Sequence, residues 1–288
     1  MNPYVIFADS SCDLPQATLD EWNIRYGSLY FRFDDSDREY HNYDMSAKDF
    51  YAKMRAGHNC TTSAVNEGDF LAAFEPILEA GQDILYIGFS SGLSATYQCG
   101  AAAAAEILLR YPERKIVTVD SLAASAGYGM LLYLAKCRRD EGAGIEELAA
   151  YIEEIKLNLC HWFTVDDLEH LIKGGRVIKV LASLGGALQL KPVLHVDNAG
   201  HLIPVSVARG RKKSLRALAD QYGKRAIEKG KPPVFICHAD CLEDVEYLVA
   251  DLKERFGVET DRIVDVGPVI GAHTGPGVVS LFFLGRER

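Results

Sequence analysis

Four groups of residues have the types and spacing to do chemistry. Gly88-Phe89-Ser90-Ser91-Gly92 matches G-x-S-x-G, the pattern that places a nucleophilic serine on a strand-to-helix turn. A serine esterase built on Ser90 needs an acid and then a histidine downstream, and Asp265 and His273 occur in that order. The pattern fixes only three residues, and no His-Gly-Gly-Gly-like oxyanion segment precedes it. The plainer reading is a Gly/Ser-rich turn that cradles an anion. Thr61-Thr62-Ser63 offers three hydroxyls in a turn before a helix, for a ligand or for capping, and Ser63 and Asn66 are both suited to the cap. His273 lies between Gly271 and Gly275, where a shaped loop lets backbone approach a ligand closely. Cys237, His238 and Cys241 have metal-ligating types but no second pair at matching spacing. His238 follows the apolar run Val234-Phe235-Ile236-Cys237, so a strand end is the simpler reading and no metal is expected. Neither a Walker A sequence nor a G-x-G-x-x-G after a strand occurs. Nothing in the chain is built to hold ATP, so any phosphoryl transfer needs a nucleotide brought by another protein.

The elements that must position these residues follow from periodicity. Apolar runs at 4–9, 84–89 and 116–120 end in hydroxyl and small residues: Asp9-Ser10-Ser11, Ser90-Ser91-Gly92 and Asp120-Ser121. Short continuous runs rich in Val and Ile suit strands buried on both faces. Helical patterns over 67–80, 95–110, 123–140 and 145–158 separate them, so a parallel sheet is expected. Ligands bind beyond the carboxyl ends of such strands, which is where all three hydroxyl clusters fall. The second half reads as a short helix over 164–173 capped by Thr164, and a hairpin over 192–209 turning at Asp197-Asn198-Ala199-Gly200. A helix over 211–230, a strand over 233–238 and a helix over 241–256 follow, then two strands within 263–284 around the glycine-rich loop. The fold class expected is α/β with two domains: a parallel, Rossmann-like three-layer domain over 1–160 and a mixed-sheet domain over 161–288.

The 288 residues carry a net charge of −9, which disfavours general nucleic-acid binding. No apolar run approaches the roughly 18 residues of a membrane span. The N-terminal residues lack a basic region and enter a strand directly, so a cytoplasmic protein is the default and a monomer the starting expectation. Seven scattered cysteines, an odd number, argue against a disulfide framework. Between Leu171 and Arg216 stand nine basic residues (Lys173, Arg176, Lys179, Lys191, Arg209, Arg211, Lys212, Lys213 and Arg216) and one acid, Asp197. That local excess reads either as a solvated face or as a docking surface for an acidic partner or phosphate.

Ala8-Asp9-Ser10-Ser11-Cys12-Asp13-Leu14-Pro15, Thr62-Ser63 and Ser90-Ser91-Gly92-Leu93-Ser94-Ala95-Thr96-Tyr97-Gln98 follow one another along the chain. Asp120-Ser121, Leu171-Ile172-Lys173-Gly174-Gly175-Arg176, Lys191-Pro192-Val193-Leu194, Arg209-Gly210 and Gly271-Ala272-His273-Thr274-Gly275-Pro276-Gly277 complete the order. In that order and spacing the chain resembles the DegV family, which includes the fatty-acid-binding subunits of bacterial fatty acid kinase. The resemblance implies two α/β domains with a lipid tunnel between them, a long-chain fatty acid as ligand, and no other cofactor. It implies an ATP-dependent kinase subunit as partner and no catalysis by this chain alone. Thr62 and Ser94, with Ser63 and Ser91 close by, match the hydroxyls that hold the carboxylate. His273 and Arg209 match residues near the head group, and Arg176, with Lys173 and Arg209, the basic surface that meets the kinase. Ala95 stands where the family usually has Gly, and Ala64-Val65-Asn66-Glu67 follows Ser63 where Gln-Pro-Ser is commoner.

Overall fold

The computed structural model of the protein describes residues 3–166, 168–177, 189–231 and 233–288. The strands among them are β1 (Tyr4–Asp9), β2 (Ile24–Gly27), β3 (Tyr30–Phe33), β4 (Tyr40–His41), β5 (Cys60–Ser63), β6 (Asp83–Gly88) and β7 (Ile116–Asp120). They continue with β8 (Leu159–Thr164), β9 (Leu190–Val196), β10 (Leu202–Arg209), β11 (Val234–His238), β12 (Ile263–Asp265) and β13 (Val279–Leu284). The helices are α1 (Gln16–Glu21), α2 (Ala47–Arg55), α3 (Glu67–Glu79), α4 (Thr96–Ile107), α5 (Ser125–Asp140) and α6 (Ile145–Ile155), then α7 (Glu169–Lys173), α8 (Arg211–Arg225), α9 (Leu242–Phe256) and α10 (Pro268–Thr274).

The fold is α/β, built on a four-stranded parallel sheet and a six-stranded mixed sheet, as the apolar runs require. The parallel sheet has the order β2-β1-β6-β7, with Ile6 opposite both Ile24 and Leu85. Every residue of β6 is buried, because helices cover both faces of a parallel sheet. The mixed sheet has the order β10-β9-β8-β13-β11-β12. Its strand β8 is also buried throughout, and its side chains alternate between two cores. Leu159 and Phe163 enter a large core shared with the parallel sheet, while Cys160 and Trp162 enter a second one with Leu218, Leu248 and Phe283. A small antiparallel sheet, β4-β3-β5, packs against α10 and was not foreseen; Thr62 stands opposite Phe31 within it.

The chain departs from its local sequence pattern at three places. Thr61-Thr62-Ser63 is a strand rather than a turn, and Asn66 alone caps the following helix, its side-chain oxygen accepting from Asp69 N at 3.0 Å. Thr164 ends β8 instead of capping a helix, and its hydroxyl donates to the Pro192 carbonyl at 2.7 Å. Residues 268–274 are the helix α10, opened by Pro268 and ended by Gly275 at φ 75°, so only 275–277 of the glycine-rich stretch is loop.

The hairpin β9–β10 forms as its turn residues require, and it is tied down at that turn. Arg288 is buried, and its guanidinium donates to the carbonyls of Asp197 at 3.0 Å, Leu122 at 2.7 Å, Lys156 and Leu159. One side chain thus fastens the hairpin to the end of β7. Arg288→Ala is expected to lower stability by about 2 kcal/mol, since it strands carbonyls that only water can then satisfy. Urea unfolding followed by circular dichroism measures it, and an unchanged midpoint would contradict the fastening role.

Candidate functional site

Where the small sheet meets α7, α10 and the face of the mixed sheet lies a cavity of about 230 Å³. That exceeds the ~150 Å³ known to admit an aromatic ring, so a ligand fits. Its walls are largely apolar, among them Leu29, Phe89, Leu171, Val269, Ile270 and Phe282. Polar groups collect at the mouth: Thr62, Ser63, Ser94, His273 and Arg176.

Thr62 and His273, 211 positions apart, meet there, with Thr62 Oγ1 2.8 Å from His273 Nε2. The other ring nitrogen, Nδ1, is buried and has no partner. An orphaned lone pair is more readily tolerated than an orphaned N–H, so the proton belongs on Nε2, which donates to Thr62. The Thr62 hydroxyl proton is then free for a ligand. Burial, and secondarily the Arg176 guanidinium, pushes the His273 pKa down to about 4, so the ring is neutral at pH 7. Ser94 sits at the start of α4, where its oxygen accepts from Thr96 N at 3.2 Å and lies 2.9 Å from Thr96 Oγ1. With the Thr96 hydroxyl as donor, Ser94 keeps its own proton for a ligand as well. Arg176 Nε donates to the Leu93 carbonyl at 3.2 Å, which fixes the cation at the rim. A mouth of two hydroxyl donors, a neutral imidazole and one flanking cation suits an anion held without neutralisation.

Glycines set this geometry. A methyl group at Gly174 would lie 2.3 Å from His273 Nδ1, and one at Gly275 would lie 2.3 Å from His170 Cδ2. Gly277 stands in the same relation to the Asp166 carboxylate, again at 2.3 Å. The two glycine-rich motifs therefore interlock, and the imidazole is seated against a bare backbone. A second groove beside it is lined by Asn59, Thr61, His170, Lys173 and Ala272. It shares Thr62, Arg176 and His273 with the cavity, so these three form the partition between them.

Other anticipated residues lie elsewhere. Ser91 is not part of the lining; its N–H donates to Asp120 Oδ1 at 3.2 Å. Arg209 is exposed at the end of β10 and also lies outside the lining, so Arg176 is the cation at the mouth among the described residues. Lys173 pairs with Glu169 at 2.6 Å, Lys191 with Asp166 at 2.8 Å and Arg211 with Asp244 at 2.9 Å. Lys179 falls outside the described residues. Arg209, Lys212, Lys213 and Arg216 remain exposed, with no ion pair among the described residues. None of the three hydroxyl clusters lines the cavity; Ser94, two residues beyond the second, does. Ser10 accepts from Leu29 N at 2.9 Å, Ser11 bonds Asp9, and Ser121 accepts from Ala123 N at 3.1 Å.

The esterase constellation does not assemble. Ser90 is buried and donates to the Gly200 carbonyl at 2.9 Å, while Asp265 lies 3.6 Å from His238 and His273 is engaged with Thr62. A methyl group at Gly92 would come within 2.7 Å of the Ala199 carbonyl. Gly92 and Ser90 of this motif receive the hairpin turn. Cys237, His238 and Cys241 do not converge on a metal position either. Burial pushes the two thiols up to about 12 and about 11, and the Cys241 N–H donates to His238 Nδ1 at 3.3 Å. Sequence reasoning missed the cavity floor, where His161, Ser125 and Ser280 appear. A lone histidine inside the run Leu159–Thr164 gave no signal of it.

Residues 3–286 match the family model described as an uncharacterised protein of the DegV family. A DegV domain-containing protein of Clostridium perfringens is 41% identical over 100% of this chain and 99% of the relative. Among solved structures, a DegV family protein from Thermus thermophilus described for its fatty acid binding is similar, with a TM-score of 0.88 at 29% identity over 99% of this chain and 100% of that one. DegV of Bacillus subtilis, described as a fatty acid binding protein, is similar at a TM-score of 0.82 and 26% identity, over 99% and 100%.

Proposed function

The chain belongs to the DegV family, and from that premise we propose that it buries the tail of a long-chain fatty acid in the cavity and presents the carboxylate to a separate ATP-dependent kinase, without being a catalyst itself. The observation that carries this reading is the shared partition of Thr62, Arg176 and His273 between the apolar cavity and the outer groove. A carboxylate seated there has its tail inside and one oxygen reachable from outside. Each buried methylene contributes about 0.8 kcal/mol, so roughly a dozen supply on the order of 10 kcal/mol before ordering costs. The tail therefore sets the affinity. Hydroxyl donors from Thr62 and Ser94 hold the head group and leave it nucleophilic, where a bidentate arginine would occupy both oxygens. The 1–160 and 161–288 division then corresponds to the two halves that enclose the tail.

Native mass spectrometry followed by denaturing extraction is the direct test. A one-to-one adduct of fatty-acid mass is expected, and a protein that is empty and takes up no added stearate would overturn the reading. The docking surface has its own test. Arg209→Glu is expected to lower kinase-dependent phosphorylation of bound fatty acid about tenfold while stearate affinity stays within twofold. Equal losses in both would place Arg209 at the head group instead.

A further inference from the structure

We propose that Asp13 and Asn42, which line neither the cavity nor the groove beside it, are positioning residues for the head-group site: they hold α10 at its far end and so set where His273 stands. The inference rests on the carboxylate reading above and adds two residues to it. α10 has no capping side chain of its own, and Pro268 at its start has no N–H to offer. The remaining donors of its first turn still need acceptors. One comes from 227 positions away: the Val269 N–H donates to Asn42 Oδ1 at 3.0 Å, and the Asn42 amide donates to the Ser10 carbonyl at 3.0 Å. Asn42 is 1% exposed, so both bonds are held out of water.

Asp13 reaches the same helix end. Its Oδ2 accepts from the Ser125 hydroxyl at 2.5 Å, while Oδ1 is buried without a hydrogen-bond partner. Oδ1 lies against Gly267, where a methyl group would come within 2.7 Å of it, and the nearby Gly267 N–H favours the charged carboxylate. Asp9, Asp265, Cys12, Cys237, Tyr43 and Tyr51 stand around Asp13, and none of them is a cation. A buried, half-paired carboxylate without a counter-charge is costly, and such groups persist where a site needs them. Here α10 is the element that gains. The Tyr51 hydroxyl donates to the Val266 carbonyl at 2.8 Å, so the chain is pinned just before the helix as well. A helix of seven residues spans about 10 Å and moves as a rod. A shift at Gly267 therefore reaches His273 and breaks its 2.8 Å contact with Thr62.

The experiment measures stearate affinity at pH 8 in Asp13→Asn, in Asn42→Ala and in each combined with His273→Ala. Both single variants are expected to bind stearate about tenfold more weakly. Asp13→Asn keeps the side-chain shape and relieves a buried charge, so it should bind worse while melting higher. That pairing separates positioning from loss of fold, and it carries the test if Asn42→Ala fails to fold. In the His273→Ala background neither change should cost more than about twofold, because the group they position is gone. The proposal is overturned if folded Asp13→Asn binds like the unmodified protein, or if its loss is undiminished without His273. The nitrogen NMR signals of the His273 ring give a readout without ligand: they should shift in Asp13→Asn, and an unmoved ring also overturns the proposal. Failure of the unmodified protein to bind stearate is a separate result, because it removes the fatty acid reading alone.

Discussion

Gly174→Ala is expected to weaken fatty acid binding by tenfold or more, although the substituted residue offers no functional group. Its φ of −71° suits alanine, so the backbone itself is not strained. The added methyl would meet His273 Nδ1 at 2.3 Å and force the imidazole out of its seat. Overpacking of this kind costs about 1–3 kcal/mol, and displacing Nε2 breaks the 2.8 Å contact that orients the Thr62 hydroxyl. Titration with stearate measures the loss. A double-mutant cycle isolates the cause, because His273→Ala removes the obstructed ring and should make the second change nearly neutral. Gly175→Ala is the contrast: that position has φ 68° but open space around it, so it should cost stability and leave the head-group site in place. If Gly174→Ala binds stearate like the unmodified protein, the interlock does not position the histidine.

The second large effect is on stability and its dependence on pH. Asp13 is buried, and burial pushes its pKa from 3.8 up to about 7 against the stabilising hydrogen bond from Ser125. A carboxyl whose folded pKa is raised favours the folded state below the unfolded value near 3.8. That contribution is lost progressively as pH rises through about 7. Asp13→Asn has the same shape and no charge to bury. Its advantage should be near zero at pH 4 and approach on the order of 4 kcal/mol by pH 8, at about 1.4 kcal/mol per pKa unit. Asp9, pushed up to about 6 by burial, adds a cost of the same sign to the unmodified protein. Melting temperatures of both proteins from pH 4 to 8 decide the matter. A constant difference across that range would show that the charge of Asp13 is not the cause.

The parts legible in the sequence are those where one pattern dominates. β1, β6 and β7 are continuous apolar runs, which helices cannot imitate at that length, and the Asp197–Gly200 turn carries its own hairpin chemistry. Thr62 was singled out by residue type but placed on a turn, because a four-residue strand rich in hydroxyls looks like a loop. It is held there by pairing with β3, a contact no local window contains. The 268–274 segment looked like a loop because of its glycines. They are tolerated in a helix because neighbours fill the space: a methyl at Gly271 would fall 2.4 Å from the Tyr51 hydroxyl. The G-x-S-x-G motif misled for a related reason, since its glycine and serine answer to the backbone of 199–200. Basic residues were countable, but their acidic partners Asp166 and Asp244 become neighbours only through folding.

The three contacts Gly174 with His273, Gly275 with His170 and Gly277 with Asp166 also constrain how such a chain can change over generations. In each pair a side chain occupies the volume that its partner gives up. A larger residue on the glycine side is blocked unless the opposite member shrinks first, and that intermediate has lost either the imidazole or the seat of a helix. For Gly174 and His273, about a hundred residues apart, a larger residue at the first is expected to be accepted only together with a smaller one at the second, so the two positions should change as a pair.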